Sequence, residues 1–343
     1  MEIITAPRKP AARLISAELT FNDTLGAWKA RWGINRMDYK VEPGLYQLGT
    51  PDAQAPVFVT ANYKMSFDRL RKELKGMDAW ILVLDTKGIN VWCAAGKGTF
   101  GTQELLNRIA SVGLDQFVSH REIIVPQLGA VGISAHTVSK LSGFKVIYGP
   151  VRAEDIKEFF RLGKQATPEM RKVFFSLYDR LVLTPVELTG TFKPSLMIFG
   201  ILFLLNILGL GSFGLVDFYA YAGAVLTGCV LTPLLLPLIP GRAFALKGWV
   251  LGFIWAAAVN MLNGWHIGAS FPQYGLLKAL AYFFILPAIA AYLAMNFTGS
   301  STFTSYSGVL KEMRKAVPVI VIFIVLGIVL LLADSIIPLF MGT

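Results

Sequence analysis

The sequence predicts two domains of different kinds: an α/β domain built on a parallel sheet, then an all-α membrane domain of five transmembrane helices. Charge is the first observation. Residues 1–193 carry 26 Lys/Arg and 19 Asp/Glu, whereas residues 194–343 carry only 6 and 3. The second is that the charge-poor part holds five apolar runs of about 20 residues, the length that crosses a bilayer as helix. The third is an alternation of short apolar runs and helical segments from residue 45 onward, the pattern of βαβ units. With 54% hydrophobic and only 16% charged residues, the 343-residue chain is neither a disordered protein nor one soluble globule.

Residues 1–44 read as an N-terminal extension. The opening MEIITAPRKPAARLISAELT lacks the apolar core of a secretory signal peptide, so the charged domain is expected in a reducing cytoplasm. The α/β domain is expected over 45–164. Its strands are 56–61, 79–85, 122–126 and 145–149, and its helices are 67–75, 101–112, about 134–142, and one starting at Ala153. Ligands on parallel sheets bind at the carboxyl ends of the strands, here the loops after Thr60, Asp85, Pro126 and Gly149.

Residues 165–193 form a linker or interfacial helix, in which the basic and aromatic stretch MRKVFFSLYDRLVL could lie on an anionic leaflet. An ordinary helix packed on its own domain is the other reading. The membrane domain, 194–343, has spans at about 195–213, 216–239, 244–263, 274–295 and 317–339. Turns at Gly211–Gly214, Pro240–Arg242 and Asn263–Pro272, and a polar segment from Asn296 to Lys315, separate them. With the N-terminal domain inside, the inner loops hold Arg242, Lys247, Lys311, Arg314 and Lys315, and the outer loops hold none, Lys278 being the mild exception. The positive-inside rule therefore gives a cytoplasmic N-terminus and an external C-terminus. Asn206, Asp217, Asn260 and Asp334 read as interfacial or helix-packing residues, with a transport path as the alternative. Cys229 reads as a small packing residue.

One loop departs from the strand–helix pattern: Asp85-Thr-Lys-Gly-Ile-Asn-Val-Trp-Cys-Ala-Ala-Gly-Lys-Gly-Thr-Phe100. Asn90 is a good N-cap, which makes Val91–Gly96 little more than one helical turn with Cys93 near its positive end. Lys97 falls on the same face as Cys93, and Ala94, Ala95 and Gly96 remove bulk beside the sulfur. A phosphate loop needs Gly-x4-Gly-Lys-Ser/Thr, and Val91 and Gly98 break that pattern. Three readings stay open on spacing alone: a nucleophilic cysteine with His120 or His136 as base, a single thiolate ligand to a metal-bearing cofactor, and a structural buried cysteine.

The string Asn90-Val-Trp-Cys-Ala-Ala-Gly-Lys97, continued by Gly-Thr-Phe100, resembles the signature of the corrinoid protein of microbial mercury methylation, a family with a corrinoid domain joined to five transmembrane helices. The soluble part also resembles the corrinoid domain of the corrinoid iron–sulfur protein large subunit. The resemblance implies an α/β Rossmann-like corrinoid-binding domain with a cobalamin-type corrinoid as cofactor. Cys93 would be the axial ligand of its cobalt, on a short helix shaped by Asn90, Val91, Trp92, Ala94, Ala95, Gly96 and Lys97. It further implies a corrinoid-dependent methyltransferase of the inner membrane, in which methyl passes from methyl–cobalt(III) to inorganic Hg(II). The implied partners are a ferredoxin-like 4Fe–4S electron donor, a methyltetrahydrofolate-type methyl donor or its methyltransferase, and membrane lipid, with no nucleic acid. Thr60, Gly129, Gly132, Ser134 and Ala153 are further expected corrin contacts, placed by loop position and not by the motif. The Asp-x-His-x-x-Gly motif of histidine-ligated corrinoid enzymes is absent. Two other functions compete: a membrane-bound methyl carrier of one-carbon metabolism with mercury incidental, and a transporter with a regulatory cytoplasmic domain.

Overall fold

The structure, a computed structural model, describes residues 12–211, 213–265, 275–304 and 306–341. Residues 1–11 of the expected extension and most of the expected 263–272 turn lie outside the described residues. Two compact units appear, Met1–Phe174 and Phe175–Thr343.

The first unit is a six-stranded sheet, β1 (Arg13–Ile15), β2 (Gly44–Leu48), β3 (Val57–Ala61), β4 (Ala79–Leu84), β5 (Glu122–Val125) and β6 (Lys145–Tyr148), in the order β1-β2-β4-β3-β5-β6. Strands β4, β3, β5 and β6 are mutually parallel, as the alternation predicts. The sheet as a whole is mixed, because β2 runs antiparallel to β4 and carries β1 parallel on its outer side. Residues 12–44 are thus part of this unit. Beyond β1 they supply helix α1 (Phe21–Arg31), capped by reciprocal hydrogen bonds between Thr20 and Asp23. The chain reverses strand order between β3 and β5, so the crevice at their carboxyl ends is the switch point where such sheets bind ligands.

Helices α2 (Lys64–Glu73), α3 (Val91–Lys97), α4 (Thr102–Val112) and α5 (Ala135–Ser142) connect the strands, and α6 (Ile156–Arg161) follows β6. Strand alternation sends Val57, Val59, Ala61, Leu82 and Leu84 to one core, shared with Ala94, Ala95, Phe100 and Leu105. Phe58, Ile81 and Val83 go to the other, shared with Phe67, Leu70, Ile156 and Phe159.

A charge cluster pins α1 to α2. Lys64 Nζ lies 2.5 Å from Asp23 Oδ1 and 2.7 Å from Asp68 Oδ2, and Arg71 reaches Asp68 and Asp23 at 2.8 Å each. Arg71 also donates to the Ser16 and Glu18 carbonyls, at 2.7 and 2.9 Å. Burial works against ionisation of Asp23, but hydrogen bonds from Lys64, Thr20 and Arg71 outweigh it and hold the carboxyl well below the usual carboxylate range.

The second unit is helical: α7 (Leu177–Leu181), α8 (Thr184–Ile207), α9 (Leu215–Leu226), α10 (Thr232–Leu235), α11 (Phe244–Leu262), α12 (Leu276–Asn296) and α13 (Tyr306–Met341). A π-helical turn, Thr227–Leu231, joins α9 to α10 and contains the buried Cys229. Five helical stretches are long and apolar enough to cross a membrane: Leu177–Ile207, Leu215–Leu235, Phe244–Leu262, Leu276–Gly299 and Ser307–Ile337. The first and last start well before the expected 195 and 317. Pro185 sits in the first turn of α8, where a missing N–H costs nothing, and the polar Ser307–Lys315 stretch continues as helix in α13.

Small residues let these helices approach. A side chain at Gly252 would meet Pro287 and Ala290, and one at Gly248 would meet Ala290, Ala291 and Ala294. The intramembrane polar residues have partners within the unit. Lys278 Nζ lies 2.9 Å from Asp217 Oδ2, and the Tyr282 hydroxyl donates to Asp217 Oδ1 at 2.8 Å. Asn206 brackets the backbone of Phe213, and Asn260 donates to the Ala279 carbonyl.

Removing Arg71 leaves two carboxylates, Asp23 and Asp68, to share the single ammonium of Lys64. Arg71→Met is expected to destabilise the first unit by about 3–5 kcal/mol, read from denaturant unfolding of the full chain. Because Asp23 is depressed in the folded state, its contribution is complete above about pH 5, begins to decline near its unfolded value of about 4, and is lost progressively as pH falls from there toward its depressed folded value. The wild-type transition should weaken over that acid range, and a melt that does not change between pH 6 and pH 3 would contradict this.

Candidate functional site around Cys93

The loop after β4 is held open by its own polar residues. Asn62, buried just beyond β3, accepts through Oδ1 from the backbone N–H groups of Thr86 at 3.1 Å and Gly88 at 3.0 Å. The Thr86 hydroxyl reaches the Ile89 carbonyl at 2.6 Å. Asp85 accepts from the Lys87 backbone at 3.0 Å and lies 2.5 Å from its ammonium, while its own N–H donates to Glu104 at 2.9 Å. Burial opposes ionisation of Asp85, yet Lys87 and then Arg108 prevail and keep the carboxyl below its ordinary range. Lys87 takes a left-handed conformation (φ 58°), a strained one for a side-chain-bearing residue, which this bracket sustains. Asn62 and Glu104 were not singled out in the sequence; the signal was the Asn placed at a strand end opposite Asp85-Thr86.

The loop delivers the chain to α3, seven residues beginning at Val91. Asn90 caps it, its Oδ1 accepting from the Cys93 N–H at 2.9 Å. Val91, Ala94 and Ala95 are buried against the sheet, while Trp92, Gly96 and Lys97 are exposed and Cys93 is half-buried. Cys93 therefore shares the open face with Gly96 and Lys97, one turn further on. A Cβ at Gly96 would touch nothing in the chain, so the fold does not require glycine there. Glycine inside a helix costs about 1 kcal/mol relative to alanine, and what it leaves is space beside the sulfur.

The helix rests on the turn after β5. A side chain at Gly132 would collide with the Phe100 carbonyl and come within 3.2 Å of Ala95, and one at Gly129 would strike the Phe100 ring. Phe100, fully buried, is folded back under the helix by its N–H to the Ala94 carbonyl (3.1 Å), and the Thr102 N–H donates to the Gly132 carbonyl (3.0 Å). Ser134 caps α5 through Thr137 and donates its N–H to the Thr102 hydroxyl at 2.8 Å.

The structure thus brings Asn90–Lys97 together with Gly129, Gly132 and Ser134. Thr60 and Ala153 stand apart. Thr60 is buried in β3 and alternates with Val59 and Ala61, so it points to the opposite face of the sheet, where Ala153 packs. His120 sits at the start of β5, bonded to the Ala55 carbonyl at 2.9 Å and the Glu122 N–H at 3.2 Å, at the far end of the strands from Cys93. His136 is exposed on α5. Among the described residues, no three His, Cys, Asp or Glu side chains converge as a metal site. A lone sulfur on an open face suits a metal that brings its remaining ligands with it, as a corrin-bound cobalt does, and the Gly96 space admits a bulky flat group.

Comparisons with known proteins fall on this unit. The family described as CO dehydrogenase/acetyl-CoA synthase delta subunit matches residues 33–160. The acetyl-CoA decarbonylase/synthase complex subunit gamma of Methanopyrus kandleri is 30% identical over 126 residues, 36% of this chain and 27% of its own length. The same subunit of Archaeoglobus fulgidus is 31% identical over 124 residues, 36% and 26% of the two chains. The corrinoid/iron-sulfur protein large subunit of Moorella thermoacetica is 31% identical over 124 residues, 36% and 27%. This chain spans about a quarter of the length of these relatives. The matched stretch contains the whole Cys93 site, and the five apolar helices lie outside it.

The fit of α3 on its turn sets a test. Gly132→Ala forces the Phe100 carbonyl or Ala95 to move and is expected to cost about 1–3 kcal/mol. Asn62→Leu leaves the Thr86 and Gly88 N–H groups buried without an acceptor, a loss of about 2 kcal/mol or more. Both should speed hydrogen exchange in residues 86–100 ahead of the rest of the sheet, and uniform exchange would contradict the bracket.

Proposed function

We propose that this chain is a membrane-anchored corrinoid protein that carries methyl groups, with Cys93 as the axial ligand of the corrinoid cobalt. The observation that supports it most is the placement of one thiol on the open face of α3, at the carboxyl end of a parallel sheet, in a stretch similar to a corrinoid/iron-sulfur large subunit. A bound corrinoid supplies a metal centre able to take up a methyl group and release it. The residues of the chain hold and tune that centre. Asn90 fixes the first turn, Val91, Ala94 and Ala95 anchor the helix, Gly96 leaves room, and Trp92 and Lys97 flank the sulfur.

Two acceptors are supported by different observations. The names of the relatives, subunits of acetyl-CoA decarbonylase/synthase complexes and a corrinoid/iron-sulfur protein, support one-carbon metabolism. The Asn90–Lys97 string and the five apolar helices support inorganic Hg(II), through the resemblance to the mercury-methylating corrinoid protein. A thiolate ligand also pushes electron density onto the metal, which favours delivery of methyl to a soft electrophile such as Hg(II). The sequence has two cysteines, too few to hold an iron–sulfur cluster, so electrons would come from a separate ferredoxin-like protein. A methylated folate, or the methyltransferase that uses it, would supply the methyl group. The Lys/Arg distribution supports an inner-membrane topology with the sheet domain in the cytoplasm.

The test is the full chain reconstituted with cobalamin. Cys93→Ala should insert into membranes normally, change the absorption spectrum of the bound corrinoid, and lose methyl transfer by two orders of magnitude or more. An unchanged spectrum would defeat the ligand assignment. Methyl transfer to Hg(II), run beside transfer to an acetyl-CoA-forming complex, separates the two acceptors: the faster reaction identifies the physiological one.

A further inference from the structure

Gln127 opens the turn after β5, the turn on which the cysteine helix rests. Its backbone is satisfied. Its N–H faces the Pro150 carbonyl at 3.4 Å, and its carbonyl accepts from Ala130 at 3.1 Å. Its side chain is not: Oε1 is buried and receives no hydrogen bond. Among the described residues, the only other buried side-chain polar atom in this condition is Arg180 Nε, in the other unit. A carbonyl oxygen taken out of water without a donor is costly, and a partner from outside the chain is one way such a group is completed. Gln127 follows the carboxyl end of β5 by two residues, on the side of the sheet's switch point between β3 and β5, where sheets of this kind bind ligands. The same turn carries Gly129 and Gly132, the contacts that seat Ala95 and Phe100.

We infer that Gln127 is a cofactor-binding residue, its buried carboxamide oxygen accepting a hydrogen bond from a primary amide on the rim of the corrin ring. The inference rests on the corrinoid reading above and adds to it a contact outside the cysteine motif. A corrin ring carries acetamide and propionamide arms around its edge, and each ends in an N–H donor of the kind the oxygen lacks. Cys93 would then hold the metal from below while Gln127 fixes the rotation of the ring about that bond.

The test uses the full chain in detergent and measures corrinoid affinity beside thermal stability without corrinoid. Two ligands are compared: cobinamide, with amide arms, and a corrin whose arms are methyl esters, which have no N–H. Gln127→Met keeps the volume and removes the polar atoms. It should bind cobinamide about tenfold more weakly, the worth of one hydrogen bond to a buried group, and bind the ester corrin as wild type does. Gln127→Glu, which keeps an acceptor, should stay within about threefold of wild type for cobinamide. Without corrinoid, Gln127→Met should be as stable as wild type or more so. Equal cobinamide binding by Gln127→Met and wild type overturns the inference while leaving the corrinoid reading intact. An equal loss for both ligands, or a lowered melting temperature of the corrinoid-free variant, makes Gln127 a packing residue and also overturns it. Failure of wild type to bind either ligand overturns the corrinoid reading itself, and this inference with it.

Discussion

A seven-residue helix has too few internal hydrogen bonds to persist in water, so the direction in which Cys93 points is set by what α3 lies upon. That support is the contact between Ala94, Ala95 and Phe100 on one side and the Gly129–Gly132 turn on the other. It works only because two positions in the turn have no side chain. The Asn62 bracket then fixes the entry to the helix, and Asn90 fixes its first turn. Each device constrains backbone and leaves the sulfur untouched. The thiol is held in place without being used in the packing.

Elsewhere the chain closes its charges on themselves. Asp23, Asp68, Lys64 and Arg71 satisfy one another between α1 and α2, and Asp217, Lys278 and Tyr282 do the same among apolar helices. Against that background an open sulfur, a helical glycine with nothing beside it, and an unpaired buried carboxamide oxygen all stand on or beside the α3 support. Three departures from local rules thus fall together on one support.

The parallel core was legible from composition because β3, β4 and β5 are buried on both faces and read as unbroken apolar runs, such as AWILVL. The strand β2 was not, because its antiparallel course depends on pairing with β4 and leaves no periodic mark in GLYQL. Strand β1 has three residues, below the length at which alternation can be seen. Helix α13 outran its expected start because apolarity marks where lipid begins, whereas the hydrogen-bonded ladder continues through Ser307–Lys315 without regard to it. At the site, Asn90 as cap and Cys93 on the open face follow from spacing. The side of the sheet that Thr60 faces could not be read from loop position, because it depends on strand parity. That Gly129 and Gly132 also make room for Phe100 and Ala95 could not be read from the sequence, since those contacts are long-range.

The extent of similarity bears on how the two units divide the work. Residues 33–160 contain every contact that seats α3, and they match subunits of large complexes of which this chain spans about a quarter. A protein that works inside a complex meets its partners as neighbouring subunits. Confinement to a bilayer does the same job by other means, since tethering raises the effective concentration of any partner held at that surface. On this reading the five apolar helices stand in place of the neighbouring subunits. The small closed charge cluster at Asp217 then needs no transport role: a buried ion pair with a hydroxyl donor holds helices in one register, and that is what an anchor requires.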